Sequence, residues 1–113
     1  MADKALTWLG TSRADVRGFP DGARRAVGFE LRQVQHGLSP SDWKPMPTVG
    51  AGVFEIRIHE AGEYRVLCVA KFAEAIYVLH AFEKRTRQTP GVAVELARAR
   101  YKQLQQARRR REE

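Results

Sequence analysis

The chain has 113 residues, enough for one domain with a core and too few for two. Its 20 Lys and Arg against 13 Asp and Glu give a formal charge of +7 and an isoelectric point near 10.2, a surplus that favours a polyanionic partner, nucleic acid before membrane. The single cysteine excludes a disulfide framework, and with no long apolar run and no charged-then-apolar leader, neither a membrane span nor a signal peptide is expected; a reduced, cytoplasmic setting follows.

In chain order, Lys4 to Gly10 is short, apolar and ended by glycine, which predicts a first strand. Ser12 is expected to cap a turn of helix, with Asp15 as the assisting carboxylate, and Phe19-Pro20-Asp21-Gly22 to break it. From Ala23 to His36 the residues Ala23, Ala26, Val27, Leu31 and Val34 recur at helical spacing, so an amphipathic helix closed by Gly37 is predicted, with Arg24, Arg25, Arg32 and Gln33 on its solvated side. Leu38 to Gly52 holds Pro40, Pro45, Pro47, Gly50 and Gly52 and reads as a long loop without regular structure. Within it Trp43, beside Lys44, reads as an anchor of the loop to the core, with stacking on a base as its other use.

Val53 to His59 alternates, with Phe54, Ile56 and Ile58 on one face and Glu55, Arg57 and His59 on the other. Glu60-Ala61-Gly62 fits a three-residue hairpin loop with Gly62 in the left-handed position; that register sets Arg57 opposite Arg65, Ile58 opposite Tyr64 and Ile56 opposite Val66. Like charges directly opposite destabilise a sheet unless an anion sits between them or solvent screens them. Tyr64 to Phe72 and Ile76 to Phe82 form a second hairpin through Ala73-Glu74-Ala75, a turn that leaves the register, and so the face of His80, Phe82 and Lys84, open. Thr89 as N-cap and Pro90 at the first helical position start a helix to about Arg111, with Val94, Ala97, Tyr101 and Leu104 as its apolar stripe. Arg98, Arg100, Lys102 and Arg108 to Arg111 make its far end basic, and its last residues are expected to fray. The expected architecture is one α+β domain over residues 1–113: a small antiparallel sheet with N-terminal helices packed on one face and a C-terminal helix, the helices all segregated onto that face.

His36, His59 and His80 are scattered, and no nucleophile triad or Gly-rich phosphate loop is present, so neither a metal nor a cofactor is expected. Cys68, in an apolar run, reads as a buried thiol. What remains is a set of cations on the sheet: Arg57, Arg65, Lys84 and Arg85. Fixed cations stabilise charge accumulating on a scissile phosphate, and they suit metal-independent RNA cleavage in which the 2′ hydroxyl attacks its neighbouring phosphate. Glu55 and His59 share the Arg57 face as acceptor or donor of protons. His80 reads as a core histidine, and Phe82 as either a base-stacking ring or a core residue.

The segments Val53-Phe-Glu-Ile-Arg-Ile58, Tyr64-Arg-Val-Leu67, Leu79-His-Ala-Phe-Glu-Lys-Arg-Thr-Arg-Gln-Thr-Pro90 and Glu95-Leu-Ala-Arg-Ala-Arg100, in this order and spacing, resemble the HigB branch of the RelE-like toxins of toxin-antitoxin systems. The resemblance implies a RelE-like fold and an endoribonuclease that cleaves mRNA on the 70S ribosome and inhibits translation. It also implies an antitoxin, usually a helix-turn-helix protein, through which alone operator DNA is met. Arg57 and Arg65 match the family's strand arginines, and Lys84 with Arg85 its basic pair after an aromatic residue. Arg85 stands where many relatives have a second lysine, which keeps charge but not proton transfer and suits a phosphate clamp. Relatives differ in the proton acceptor, so the roles of Glu55 and His59 stay open. The expected catalytic set is Arg57, Arg65, Lys84 and Glu55, with Phe82, Arg85, Arg87, His59 and Lys71 as RNA contacts. The alternatives are a noncatalytic basic module that binds RNA or the ribosome, and an assembly protein that uses its Arg-rich helix on an acidic partner.

Overall fold

The computed structural model describes residues 3–112 and orders them as β1 (Ala5–Trp8), α1 (Ser12–Arg17), α2 (Asp21–Gln35), β2 (Trp43–Pro45), β3 (Val53–His59), β4 (Glu63–Val69), β5 (Ala75–Glu83) and α3 (Gly91–Glu112). The class is α+β, and the strands form one sheet in the order β1-β5-β4-β3-β2. The sheet is mixed where an antiparallel one was expected: β1 runs parallel to β5, because the chain leaves β1 through two helices before it returns to the sheet. A further departure is β2, inside the predicted loop. Trp43, Lys44 and Pro45 pair with Ile56, Glu55 and Phe54, and an edge strand tolerates the prolines because its outer side needs no ladder bonds.

The helices do not share one face. Val16, Ala23, Val27, Leu31 and Val34 of α1 and α2 pack with Ile56, Ile58, Val66, Cys68, Ile76 and Val78. On the other side Ala97, Tyr101 and Leu104 of α3 pack with Val53, Leu67, Val69, Tyr77 and Leu79. The physical reason lies in β4 and β5, whose runs Val66-Leu67-Cys68-Val69 and Ile76-Tyr77-Val78-Leu79 are apolar on both faces and require cover on both.

Local chemistry sets the element ends. Gly37 takes φ 82°, and the bonds from Leu38 N to Gln33 O (2.9 Å) and Gly37 N to Val34 O (3.0 Å) close α2 in the way a left-handed glycine allows. Ser12 is not a cap: it is buried, and its hydroxyl donates to Val78 O at 3.1 Å, fastening α1 to β5. In the β3–β4 turn Ala61, not Gly62, holds the left-handed conformation at φ 51°, while Gly62 lies at 154°. Val94 N donates to Pro90 O at 3.2 Å, so Pro90 stands just before α3, not at its first turn, and Thr89 is not its cap. Further along α3, Tyr101 donates its hydroxyl to Ala51 O at 2.6 Å, and a Cβ on Gly50 would lie 2.0 Å from the Tyr101 ring, so only glycine allows this approach. The helix is regular to Glu112, where its last residues were expected to fray, and Glu113 lies outside the described residues. No described helix is long and apolar enough to cross a membrane.

The β3–β4 register is the predicted one, with Arg57 opposite Arg65, Ile58 opposite Tyr64 and Ile56 opposite Val66. Between β4 and β5 there is a bulge: Cys68 pairs with Val78 and Leu67 with His80, which leaves Leu79 without a partner. An extra residue reverses the alternation of everything after it. Ile76 and Val78 face α2 before the bulge and Ala81 after it, so Phe82 is turned toward the α3 side.

Candidate functional site

The bulge brings three side chains into one row. Arg57 on β3, Arg65 on β4 and Phe82 on β5 are successive ladder partners, all on the α3 side of the sheet. One row toward α3 lie Glu55, Leu67 and His80, with Lys44 of β2 opposite Glu55; one row the other way lie His59 and Glu63. Lys84 follows beside Glu63, to whose carbonyl its backbone N–H donates at 2.7 Å.

Glu55 is the floor of this arrangement. It is fully buried, its Oε1 lies 3.7 Å from Arg57 Nε and 3.6 Å from Arg65 Nε, and its Oε2 accepts from the Thr89 hydroxyl at 2.8 Å. One carboxylate thus offsets the repulsion between two opposed guanidinium groups. Glu55 Oε1, Arg57 Nε and Arg65 Nε are all buried without a hydrogen-bond partner, a cluster of unmet polar atoms of the kind native proteins avoid. Arg65 is only 5 % exposed, and its guanidinium donates to Tyr64 O at 2.9 Å and to Glu63 Oε1 at 3.1 Å.

The outer row is an ion network. His59 Nε2 lies 2.6 Å from Asp42 Oδ2, and its Nδ1 lies 2.8 Å from both oxygens of Glu63. Asp42 is delivered by the lead into β2, where its carbonyl accepts from Arg57 N at 2.8 Å, and Glu30 holds the preceding Ser41 by its N–H and hydroxyl at 2.7 and 2.6 Å. The hydrogen bond to Asp42, then that to Glu63, raises the His59 pKa, and the His59 contact lowers both carboxylates. On the inner row His80 stacks on Phe82, with centroids 5.4 Å apart and planes at 20°. Burial, then the Arg100 guanidinium, lowers its pKa against a smaller opposing effect of Asp15. Arg100 itself ties α3 to the bulge through Leu79 O at 2.8 Å and to Thr11 Oγ1 at 3.1 Å.

Of the residues singled out by sequence, Glu55, Arg57, Arg65, Phe82 and His59 come together here, and Lys84 adjoins them. Arg85 is exposed and paired with Glu83 at 3.2 Å, and Arg87 is exposed in the segment leading to α3. Lys71 is not at the cluster. It lies six residues beyond Arg65, roughly 20 Å along a strand direction, with its ammonium over the Phe72 and Tyr101 rings at 5.2 and 5.9 Å. Trp43 packs edge-on against Phe54 at 5.8 Å, on the sheet face opposite the arginines. Asp42, Lys44 and Thr89 were not anticipated. Lys44 and Asp42 were hidden by the unrecognised β2, and Thr89 by its resemblance to a cap.

A cleft of about 910 Å³ opens between the end of α2 and the sheet, lined by Lys4, Val34, Leu38, Pro40, Trp43 and Phe54. Its lining holds none of the buried polar atoms without a hydrogen bond that gather at Glu55, Arg57 and Arg65. Among the described residues no three His, Cys, Asp or Glu side chains are arranged to hold a metal ion. Cys68 is buried and burial pushes its thiol pKa up, which leaves it inert.

The fold and this face define a small, basic α+β protein with two arginines paired across its sheet over a buried carboxylate, one half-buried and one buried. More specifically, the chain belongs to the phage derived protein Gp49-like (DUF891) family, whose model matches residues 14–102, from α1 through most of α3 and so across the whole arginine face. That family is toxin-like and related to RelE and HigB. No match to the chain is found among curated proteins.

Proposed function

We propose that this protein is a toxin of the HigB branch, a metal-independent endoribonuclease that cleaves mRNA on the 70S ribosome and is held in check by a cognate helix-turn-helix antitoxin in the cytoplasm. The observation that carries this reading is the row Arg57–Arg65–Phe82 above a buried Glu55. Two guanidinium groups held rigidly on a sheet suit the nonbridging oxygens of a phosphate, which gains charge as the 2′ oxygen adds and the 5′ oxygen leaves. Phe82 offers a ring edge beside them for a base. Lys84 is the cation of the basic pair able to give a proton to the leaving oxygen, while Arg85 keeps its own and serves as a clamp. Of the groups of acceptor type on this face, the two singled out by sequence are both engaged: Glu55 by Thr89 and the arginines, His59 by Asp42 and Glu63. Charge stabilisation therefore supplies the larger share of the catalysis, with Glu55 acting by holding the arginines in place.

The same engagement of Glu55 favours a second reading, a noncatalytic basic module that binds RNA or the ribosome. Primer extension on a reporter message in a purified translation system separates the two. New 5′ ends that require ribosomes and disappear with Arg65→Ala support the nuclease, whereas ribosome binding without cleavage sinks it in favour of the module.

A further inference from the structure

Glu63 is shared. Its Oε1 lies 2.8 Å from His59 Nδ1 and 3.1 Å from the Arg65 guanidinium, while the other ring nitrogen of His59 lies 2.6 Å from Asp42. A carboxylate only accepts, so both ring nitrogens must donate, and only the imidazolium has two N–H groups. A neutral ring leaves one carboxylate facing a lone pair. Among the described residues the charged groups around this ring are Asp42 before β2, Lys44 on β2, Arg57 on β3, Glu63 and Arg65 on β4, and Lys84 after β5. Of these, Asp42 and Glu63 hold the proton on the ring, and only Glu63 also holds a cation of the arginine row.

We propose that His59 is a positioning residue that acts through Glu63 to set how much of Arg65 is free for a phosphate. As imidazolium it shares Glu63 with Arg65. When it loses the Nδ1 proton and keeps Nε2–H on Asp42, the shorter contact at 2.6 Å against 2.8 Å, it releases Glu63 to the guanidinium, and the row loses both a charge and an open donor. This rests on the reading of the arginine row as a phosphate-binding face, and it makes that face pH-sensitive through a residue that touches no RNA. It also assigns His59 a task other than proton transfer, since neither ring nitrogen is free to face a substrate.

The test has two arms on the full chain. Without RNA, the side-chain NMR signals of Arg65 are followed while His59 is titrated. They are expected to move with the His59 transition in wild type and to stop doing so in Glu63→Gln. Arg65 signals indifferent to the His59 transition overturn the proposal, whatever the face binds. In the second arm, affinity for a short single-stranded RNA with 2′-O-methyl groups, which cannot be cleaved, is measured at fixed salt across the histidine range. Wild type is expected to weaken by about tenfold as His59 deprotonates, a size typical of one charge-assisted contact. Glu63→Gln is expected to bind tightly throughout, and His59→Gln to stay at the weak, high-pH level. A pH step that survives in Glu63→Gln means that the imidazolium meets RNA directly and overturns the role assigned here. If Arg65 tracks His59 but RNA affinity ignores both, the linkage stands and the phosphate-binding reading of the row fails instead.

Discussion

The two faces of this sheet are made by the same strands and end differently. On β3, Phe54, Ile56 and Ile58 point toward α2 and Glu55, Arg57 and His59 point away, and the hydrophobic cover on the first side runs the full length of the strand. On the second side α3 packs with Val53, Leu67, Val69, Tyr77 and Leu79, and its core reaches the row of Arg57 and Arg65 only at Phe82. The closed face gains its order from apolar packing, which is tolerant of shape and blind to charge. The far end of the other face gains its order from a buried carboxylate between two cations, which is neither. Rigidity obtained in that way leaves charge displayed at a fixed place, and a face that displays fixed charge is suited to an ionic ligand.

That contrast breaks first at its floor. Glu55→Gln leaves two opposed guanidinium groups with only Glu63, on Arg65, as an ion-pair partner and is expected to destabilise the fold by about 3–5 kcal/mol, as loss of one partner of a buried ion pair does. Ile56→Ala, one residue along on the closed face, is expected to cost a similar amount, about 2–5 kcal/mol, for the different reason of a cavity. Urea unfolding in an Arg57→Gln background separates the causes. There the Glu55→Gln deficit shrinks, because one of the two cations facing the carboxylate is gone, while the Ile56→Ala deficit does not. Equal deficits in both backgrounds would show that the carboxylate is not what holds the row.

Next in size, and sharper in what it isolates, is the loss of a displayed cation. Arg57→Ala is the cleaner test because Arg57 is the more exposed of the pair, at 31 % of its side chain against 6 % for Arg65. On the nuclease reading, cleavage on the ribosome falls by roughly a hundredfold to a thousandfold, the range for removing one donor to a developing oxyanion, with the melting transition nearly unmoved. Lys71→Ala, at the covered end of the same face, is expected to leave cleavage within about twofold of wild type and to lose only a cation–π contact of about 0.5–1 kcal/mol.

What was legible in the sequence followed from short-range rules. Three loop residues between an alternating run and an apolar one determined the β3–β4 register, and with it the opposition of Arg57 and Arg65. Helical spacing up to a glycine determined α2 to within two residues of its ends. The remainder depended on packing that no local signal carries. The bulge at Leu79 has no glycine or proline to announce it, and Val78 and Leu79 still serve opposite cores as in a regular strand, so the pattern departs from alternation only at His80 and beyond. Edge strand β2 is three residues in a proline-rich loop, held by ladder bonds to β3, and without it neither Asp42 nor Lys44 is placed at the site. Thr89 looked like a helix cap because threonine before proline usually is one, yet the buried Glu55 needed its hydroxyl more.

A smaller effect probes the covered end of the α3 face. Gly50→Ala drives a methyl group into the Tyr101 ring, and because that ring is pinned by its bond to Ala51 O the strain has no easy outlet. A loss of about 1–3 kcal/mol is expected, read as a lower midpoint in urea, and Tyr101→Phe in the same background should recover part of it by freeing the ring. No recovery would mean that the loop, not the ring, resists the methyl group.

The smallest effect is the pH dependence of the outer row, and its sign follows from three shifts. The His59 pKa lies above its ordinary 6.5 in the folded chain, so its contribution is complete below 6.5 and is lost as pH rises through the raised value. Asp42 and Glu63 lie below their ordinary 3.8 and 4.5, so theirs is complete above those values and is lost as pH falls through the lowered ones. The network is therefore strongest between pH 4.5 and 6.5 and fades on both sides. Because His59 and Glu63 are about half exposed, at 51 % and 44 % of their side chains, solvent screens most of this, and the unfolding midpoint should move only slightly. His80 works in the opposite direction. Its pKa is lowered by burial and Arg100, so it stabilises the fold above 6.5 and opposes it as pH falls, which narrows the acid side of the same window. Urea midpoints of wild type, His59→Gln and His80→Gln across the histidine range separate the two. Removing His59 should erase the decline above 6.5, and removing His80 should flatten the approach to it from below. Should His59→Gln keep the wild-type decline, the outer row contributes nothing to the fold, and its carboxylates serve only the arginine beside them.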